Sequence, residues 1–235
     1  MNTIKSLARF FTFTECIAFV ATLASCATPM PTLALTPEAA EQLHKIAVVE
    51  VNEPGSYGVV NVANEARFGG GLVNMKHGEE FTKALRERGF NLSTEFNEQL
   101  VSALKSAGFE VERIQVVQKE NVVTHGDTTA DAILVVAVGA AYRGNDFADY
   151  IPQVRARVVL LENKPGKENP IYRENFWYGS MNPLIGGKQI DTDPTYSYGT
   201  FDKLMESNVQ ASEGLLKGAA LIADRVAKEI ASPKR

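Results

Sequence analysis

The sequence predicts a mixed α/β (α+β) domain: a single mixed sheet of about five strands with helices packed against it. Three observations lead there. Short β-branched or alternating runs recur along the chain, and two longer segments repeat apolar residues at helical spacing. Their order, strand, helix, strand, strand, hairpin, helix, is satisfied most simply by helices covering one sheet.

Taken in order, residues 45–53 (KIAVVEVNE) form a β-branched run stopped by Pro54-Gly55, the pattern of a strand buried on at least one face. Gly55 to Gly78 then holds six glycines and little apolar periodicity, the composition of a long loop, a lid or an inserted membrane hairpin. Phe96, Leu100 and Leu104 follow at i, i+4, i+8, with Ser93 or Thr94 as N-cap and Gly108 as the stop, so a helix lays one stripe on the sheet. Residues 109–117 read as the next strand. Residues 131–138 (DAILVVAV) are the most apolar run beyond the N-terminal region, too short to cross a bilayer, and read as a central strand. In residues 153–161, Val154, Ala156, Val158 and Leu160 share one face while Arg155 and Arg157 begin the other. NKPGKENP leads from there into residues 171–178, so the two segments form a hairpin. Leu215, Ala219, Ile222, Val226 and Ile230 close the fold as an amphipathic helix.

The 235 residues, 45% hydrophobic, suffice for a core without staples, and 2 cysteines cannot build a disulfide scaffold. A net charge of -4 gives no general attraction for phosphate backbones, so no nucleic-acid partner is expected. The first 25 residues differ from the rest: Lys5 and Arg9 precede an apolar stretch, interrupted by Glu15, that ends in small residues before Cys26. This is the layout of a secretory signal peptide, and its apolar part is short for a membrane span.

The junction Leu23-Ala24-Ser25-Cys26 resembles the lipobox of bacterial lipoproteins at all four positions. The resemblance implies cleavage before Cys26, a thioether-linked diacylglycerol on its sulfur and, in many bacteria, an acylated amino group. Removal of 25 residues carrying Lys5, Arg9 and Glu15 would take the chain to 210 residues and its charge from -4 to -5, with Cys26 its only cysteine. Ala27 after the cysteine implies outer-membrane sorting in a Gram-negative host, with the domain facing the periplasm. Residues 27–37 (ATPMPTLALTP) hold three prolines and no charge, an extended tether with a reach of roughly 30 Å. The expected layout is therefore signal peptide 1–25, lipidated cysteine and Pro-rich tether 26–44, and one α/β domain 45–235.

The folded part, through KIAVVEV, FNEQLVSALKSAGFEVERI, ADAILVVAVG and VRARVVLLENKPGKENPIYRENFWYG, resembles periplasmic lipoprotein domains. These are the domains related to the curli-secretion lipoprotein, the lipoprotein activators of penicillin-binding proteins, and the amino-terminal domain of the Tol-system propeller protein. The resemblance covers most of residues 45–231 and rests on element order. The anchor, the tether and the absence of catalytic constellations favour a non-enzymatic role: binding another envelope component, or a second copy, as a subunit of a secretion or assembly complex or as a regulator of a wall enzyme.

Motifs for chemistry are sparse. Gly186-Gly187-Lys188-Gln189 lacks the Ser or Thr and the leading glycine of a phosphate loop, no GxSxG elbow appears, and His44, His77 and His125 are widely spaced. Asp191-Thr192-Asp193 offers oxygen ligands, but Tyr196 stands where a calcium loop needs glycine. No cofactor is expected. The alternative, an envelope enzyme or small-ligand protein, would use Asp127, Asp131, Asp146 and Asp149 around strand ends. Tyr172, Phe176 and Tyr178 share one strand face opposite Trp177, and are read either as core or as a partner surface.

Overall fold

The computed structural model describes residues 31–65, 67, 69–119, 122–125, 127–164, 169–179 and 186–232; the lipobox residues Leu23 to Cys26 and residues 27–30 lie outside them. The mixed α/β class holds, with seven strands in the main sheet instead of about five. Strands β1 (Lys45–Val49), β2 (Gly58–Asn61), β3 (Glu110–Ile114), β6 (Ala132–Asn145), β7 (Ala148–Glu162), β8 (Pro170–Tyr178) and β9 (Lys188–Ile190) build it. The order is β3-β1-β6-β7-β8-β9, and β2 also pairs with β6. A separate two-stranded ribbon, β4 (Val116–Lys119) with β5 (Val122–His125), lies between β3 and β6 in sequence.

Strands β6 and β7 are the frame. They pair antiparallel from Ala132↔Glu162 to Asn145↔Ala148 around a turn at Asp146-Phe147. β1 and β2 both pair parallel with the other edge of β6, one after the other: β1 at Ala132–Leu134, β2 at Ala141–Gly144. β8 continues the meander beyond β7.

Six helices are described: α1 (Pro37–Ala40), α2 (Val62–Glu65), α3 (Gly70–Glu87), α4 (Leu92–Ser106), α5 (Phe201–Glu206) and α6 (Asn208–Ala231). α4 and α6 pack on each other and α6 lies across β7 and β8. All five residues of the predicted closing stripe, Leu215, Ala219, Ile222, Val226 and Ile230, are buried, as are Val154, Ala156, Val158 and Leu160 beneath them. The N-cap of α4 is Asn91, ahead of the predicted Ser93 or Thr94: its side-chain Oδ1 accepts from the Thr94 N–H at 2.8 Å and the Ser93 hydroxyl at 2.9 Å. On the other sheet face a smaller apolar cluster joins Ala47, Val49, Ile114, Ala130, Ile133 and Leu161.

The segment from Gly55 to Gly78 is not a loop or a hairpin. It contains β2, α2 and the first half of α3, and Gly58, Gly70 and Gly78 permit close packing there. Gly69 adopts the left-handed conformation (φ 78°) that caps α3, and a Cβ on Gly70 would overlap the Asn64 backbone. The folded body reaches back into residues 33–44, which the sequence pattern assigns to a tether. The Leu33 N–H and carbonyl pair with Arg173 of β8 at 2.9 Å, Leu35 is buried, and Thr36 caps α1, so the body begins at residue 33.

Asp131 ties the start of β6 to β1: its Oδ2 accepts the His44 and Lys45 backbone N–H groups, each at 2.8 Å. These bonds, led by the one from Lys45, hold its carboxyl below the usual range. The stabilisation is complete above the ordinary carboxylate pKa and disappears as pH falls through the lowered value. Asp131→Asn is expected to cost about 1 kcal/mol at neutral pH. It should also flatten the acid limb of stability against pH, measured by urea unfolding between neutral pH and pH 3. An unchanged acid limb would show that Asp131 does not carry it.

Candidate interaction surface

The end of the molecule at the β6–β7 turn is built from four segments locked together by polar side chains. Asn61, the last residue of β2, is the hub. Its N–H donates to Asn74 Oδ1 on α3 (3.0 Å), its carbonyl accepts from Asn74 Nδ2 (3.1 Å), and its own Nδ2 donates to Asp146 Oδ1 in the turn (3.0 Å). Asn61 Oδ1 also accepts the Ala63 N–H at the start of α2 (3.0 Å). Arg67 forms an ion pair with Asp146 at 2.5 Å, and Arg143 of β6 reaches Glu65 of α2 at 3.5 Å. The turn itself closes when the Phe147 N–H donates to Asn145 Oδ1 (2.7 Å).

This framework presents apolar side chains to water. Phe147 is 98% exposed, and Leu72 and Met75, three residues apart on the first turns of α3, are 67% and 58% exposed, with Val73 beside them. Tight two-residue turns favour glycine, asparagine or aspartate, so the turn's geometry does not require a phenyl ring at position 147. Sequence analysis missed this group. The available signal was Asp146-Phe147 standing between two long apolar-alternating runs.

The residues singled out from the sequence fall elsewhere. Tyr172, Phe176 and Tyr178 are 4%, 0% and 0% exposed beneath the helix layer, so they are core and not a partner surface. Their face was read correctly: Trp177 turns to the opposite side, where its indole N–H donates to the Gly186 carbonyl at 3.1 Å. Burial pushes the Tyr172 hydroxyl up, far above the usual tyrosine range.

The four aspartates do not converge. Asp146 and Asp149 flank the β6–β7 turn, while Asp127 and Asp131 lie at the other end of β6. There, Asp127 borders an open depression with Lys45, Glu112 and Thr128, and Lys45 pairs with Glu112 at 2.8 Å. Asp193 is a local cap, accepting the Thr195 N–H at 3.0 Å. His77 stacks on Phe201 with ring centroids 3.8 Å apart, and burial lowers its pKa. His44 precedes β1, and His125 ends β5. Among the described residues no group of three or more His, Cys, Asp or Glu is placed to hold a metal ion, and no helix is long and apolar enough to cross a membrane.

No family model and no curated protein matches the chain. Among solved structures it is similar to protein XCC0632 from Xanthomonas campestris, of the family DUF330. The TM-score is 0.41 at 8% identity, covering 86% of this chain and 93% of that one.

Proposed function

We propose that the chain is a lipid-anchored protein of the bacterial envelope, held in the outer membrane through Cys26, with a non-enzymatic role. It binds another envelope component, as a subunit of a secretion or assembly complex or as a regulator of a wall enzyme. The observation that carries this reading is the short path from the lipobox to the body. Six residues separate Cys26 from Leu33, which is fixed to the sheet edge, so seven Cα–Cα steps put the lipid within about 25 Å of β8. Two or three acyl chains at about 0.8 kcal/mol per buried CH2 would hold such a body at a bilayer without a transmembrane helix. Separation of the four aspartates to opposite ends of β6 removes the argument for acid/base chemistry among them.

Cys26→Ala is expected to abolish acylation and move the protein from the membrane to the soluble fraction. Intact mass and fractionation on wild type and variant check it. Membrane association unchanged by the substitution, with no lipid mass on the wild type, would overturn the reading.

A further inference from the structure

We infer that β3, the free edge of the main sheet, is a docking strand joined by an extended segment of a different protein, with lysine or arginine at alternate positions facing Glu110 and Asp127. This inference rests on the reading of the chain as one that binds another envelope component. β3 stands last in the sheet order, and among the described residues no strand pairs with its outer side. On the inner side the Glu110 N–H donates to the His44 carbonyl at 2.9 Å, and the Ile114 carbonyl accepts the Glu50 N–H at 3.0 Å. The parallel register with β1 therefore turns the backbone groups of Glu110, Glu112 and Ile114 inward and leaves the N–H and C=O of Val111 and Arg113 facing out. A strand laid beside them bonds these outward groups, which is how extended peptides join exposed sheet edges.

The side chains beside this edge select for positive charge. Lys45 and Glu112 share a depression of about 560 Å³ with Val111, Asp127, Thr128 and Thr129. Lys45 is engaged there: its Nζ pairs with Glu112 at 2.8 Å and donates to the Thr129 hydroxyl at 3.0 Å. Glu112 also accepts from the Thr128 hydroxyl at 3.1 Å, and Asp131 is held by the His44 and Lys45 amides. Glu110 and Asp127 are exposed, and among the described residues their carboxylates have neither a hydrogen bond nor an ion pair. By strand alternation Arg113 points to the opposite sheet face. Side chains of an added strand that stand across from Glu110 and Glu112 lie on the Glu110 face, two residues apart, so basic groups there recur at alternate positions.

The same charges argue against a second copy as the occupant. Antiparallel pairing of β3 with β3 of a second copy, about a two-fold axis normal to the sheet, sets residues of one face directly opposite each other. Every register centred on residues 110–113 then opposes like charges: Glu110 with Glu110, Glu110 with Glu112, Glu112 with Glu112, or Arg113 with Arg113. The other end of the sheet order, β9, has three residues and is too short to extend along β3 in a head-to-tail pairing.

The test places a photo-crosslinking residue at position 113 of the full-length protein in cells. Irradiation is expected to give one adduct that mass spectrometry assigns to a different protein, within a segment bearing lysine or arginine at alternate positions. A synthetic peptide of that segment should bind the purified full-length protein about tenfold more tightly than it binds Arg113→Pro. Proline removes an outward N–H and leaves the β1–β3 ladder in place, so this variant should keep the wild-type melting temperature. Glu110→Lys with Asp127→Lys, both exposed, should weaken the peptide to a similar extent and prefer the same peptide with glutamate at its basic positions; this variant decides the matter if the proline variant does not fold. Adducts only to a second copy, no adduct, a segment without alternate basic residues, or an affinity unchanged in the folded variants would each overturn the proposal. Arg113→Pro should leave membrane fractionation intact and Cys26→Ala should leave the peptide affinity intact, so failure of the anchor and failure of the docking strand are read separately.

Discussion

Gly218→Val is expected to lower stability by about 3 kcal/mol, more than overpacking by a single methylene costs. α6 lies so close to the sheet at this point that a Cβ on Gly218 would stand 2.9 Å from both Cε1 and Cγ of Tyr178. The ring cannot swing away: Tyr178 is fully buried, and its hydroxyl accepts the Asp193 N–H at 3.1 Å. Without that contact, exchanging glycine for a larger residue inside a helix would remove a penalty of up to about 1 kcal/mol. The sign of the effect is therefore the diagnostic. Gly71→Ala, where a Cβ on α3 meets nothing within 4 Å, is the control and should be neutral or mildly stabilising. Thermal unfolding of both variants decides it. At about 2–4 °C per kcal/mol for a domain of this size, Gly218→Val should melt about 10 °C lower, and equal melting temperatures would show that the helix rides higher on the sheet.

Phe176→Ala should cost about 3–5 kcal/mol, the range for truncating a fully buried phenylalanine. Phe176 sits on β8 between Ala156 of β7 and Lys188 of β9, inside the main cluster and fully buried. Had it been a surface residue in the free chain, the same change would fall within about 0.5 kcal/mol. Urea unfolding of the purified variant separates the two, and a shift below 1 kcal/mol would return Phe176 to the surface.

That residue also marks how far the sequence could be read. Alternation in residues 171–178 established which side chains share a face, but alternation does not say which face a helix will cover. Strands β1, β6, β7 and β8 and helices α4 and α6 were legible because side-chain periodicity carries them. α3 was not, because its buried positions are Gly70, Gly78, Phe81, Thr82 and Leu85. These have helical spacing, but glycine and threonine occupy three of the five, and a hydropathy pattern does not register them. β2 was hidden because it is short and its first residue is Gly58, whose missing Cβ lets Ala141 of β6 approach closely. The far halves of β6 and β7 were hidden as well. Gly139, Ala140, Ala141 and Gly144 dilute the apolar run, so the turn bearing Phe147 lay beyond the strand that the sequence outlined. The end of the molecule at the β6–β7 turn was therefore hard to read for a physical reason: its framework of Asn61, Asn74, Asn145 and Asp146 is polar and small.

The long antiparallel ladder of β6, β7 and β8 has a mechanical consequence. A pull between the edge at Leu33 and the turn at Phe147 runs parallel to β6, β7 and β8, across their hydrogen bonds and not along them. The rungs of the ladder are loaded together in shear instead of opening one after another. Tension applied between those two points would be borne by the whole meander at once.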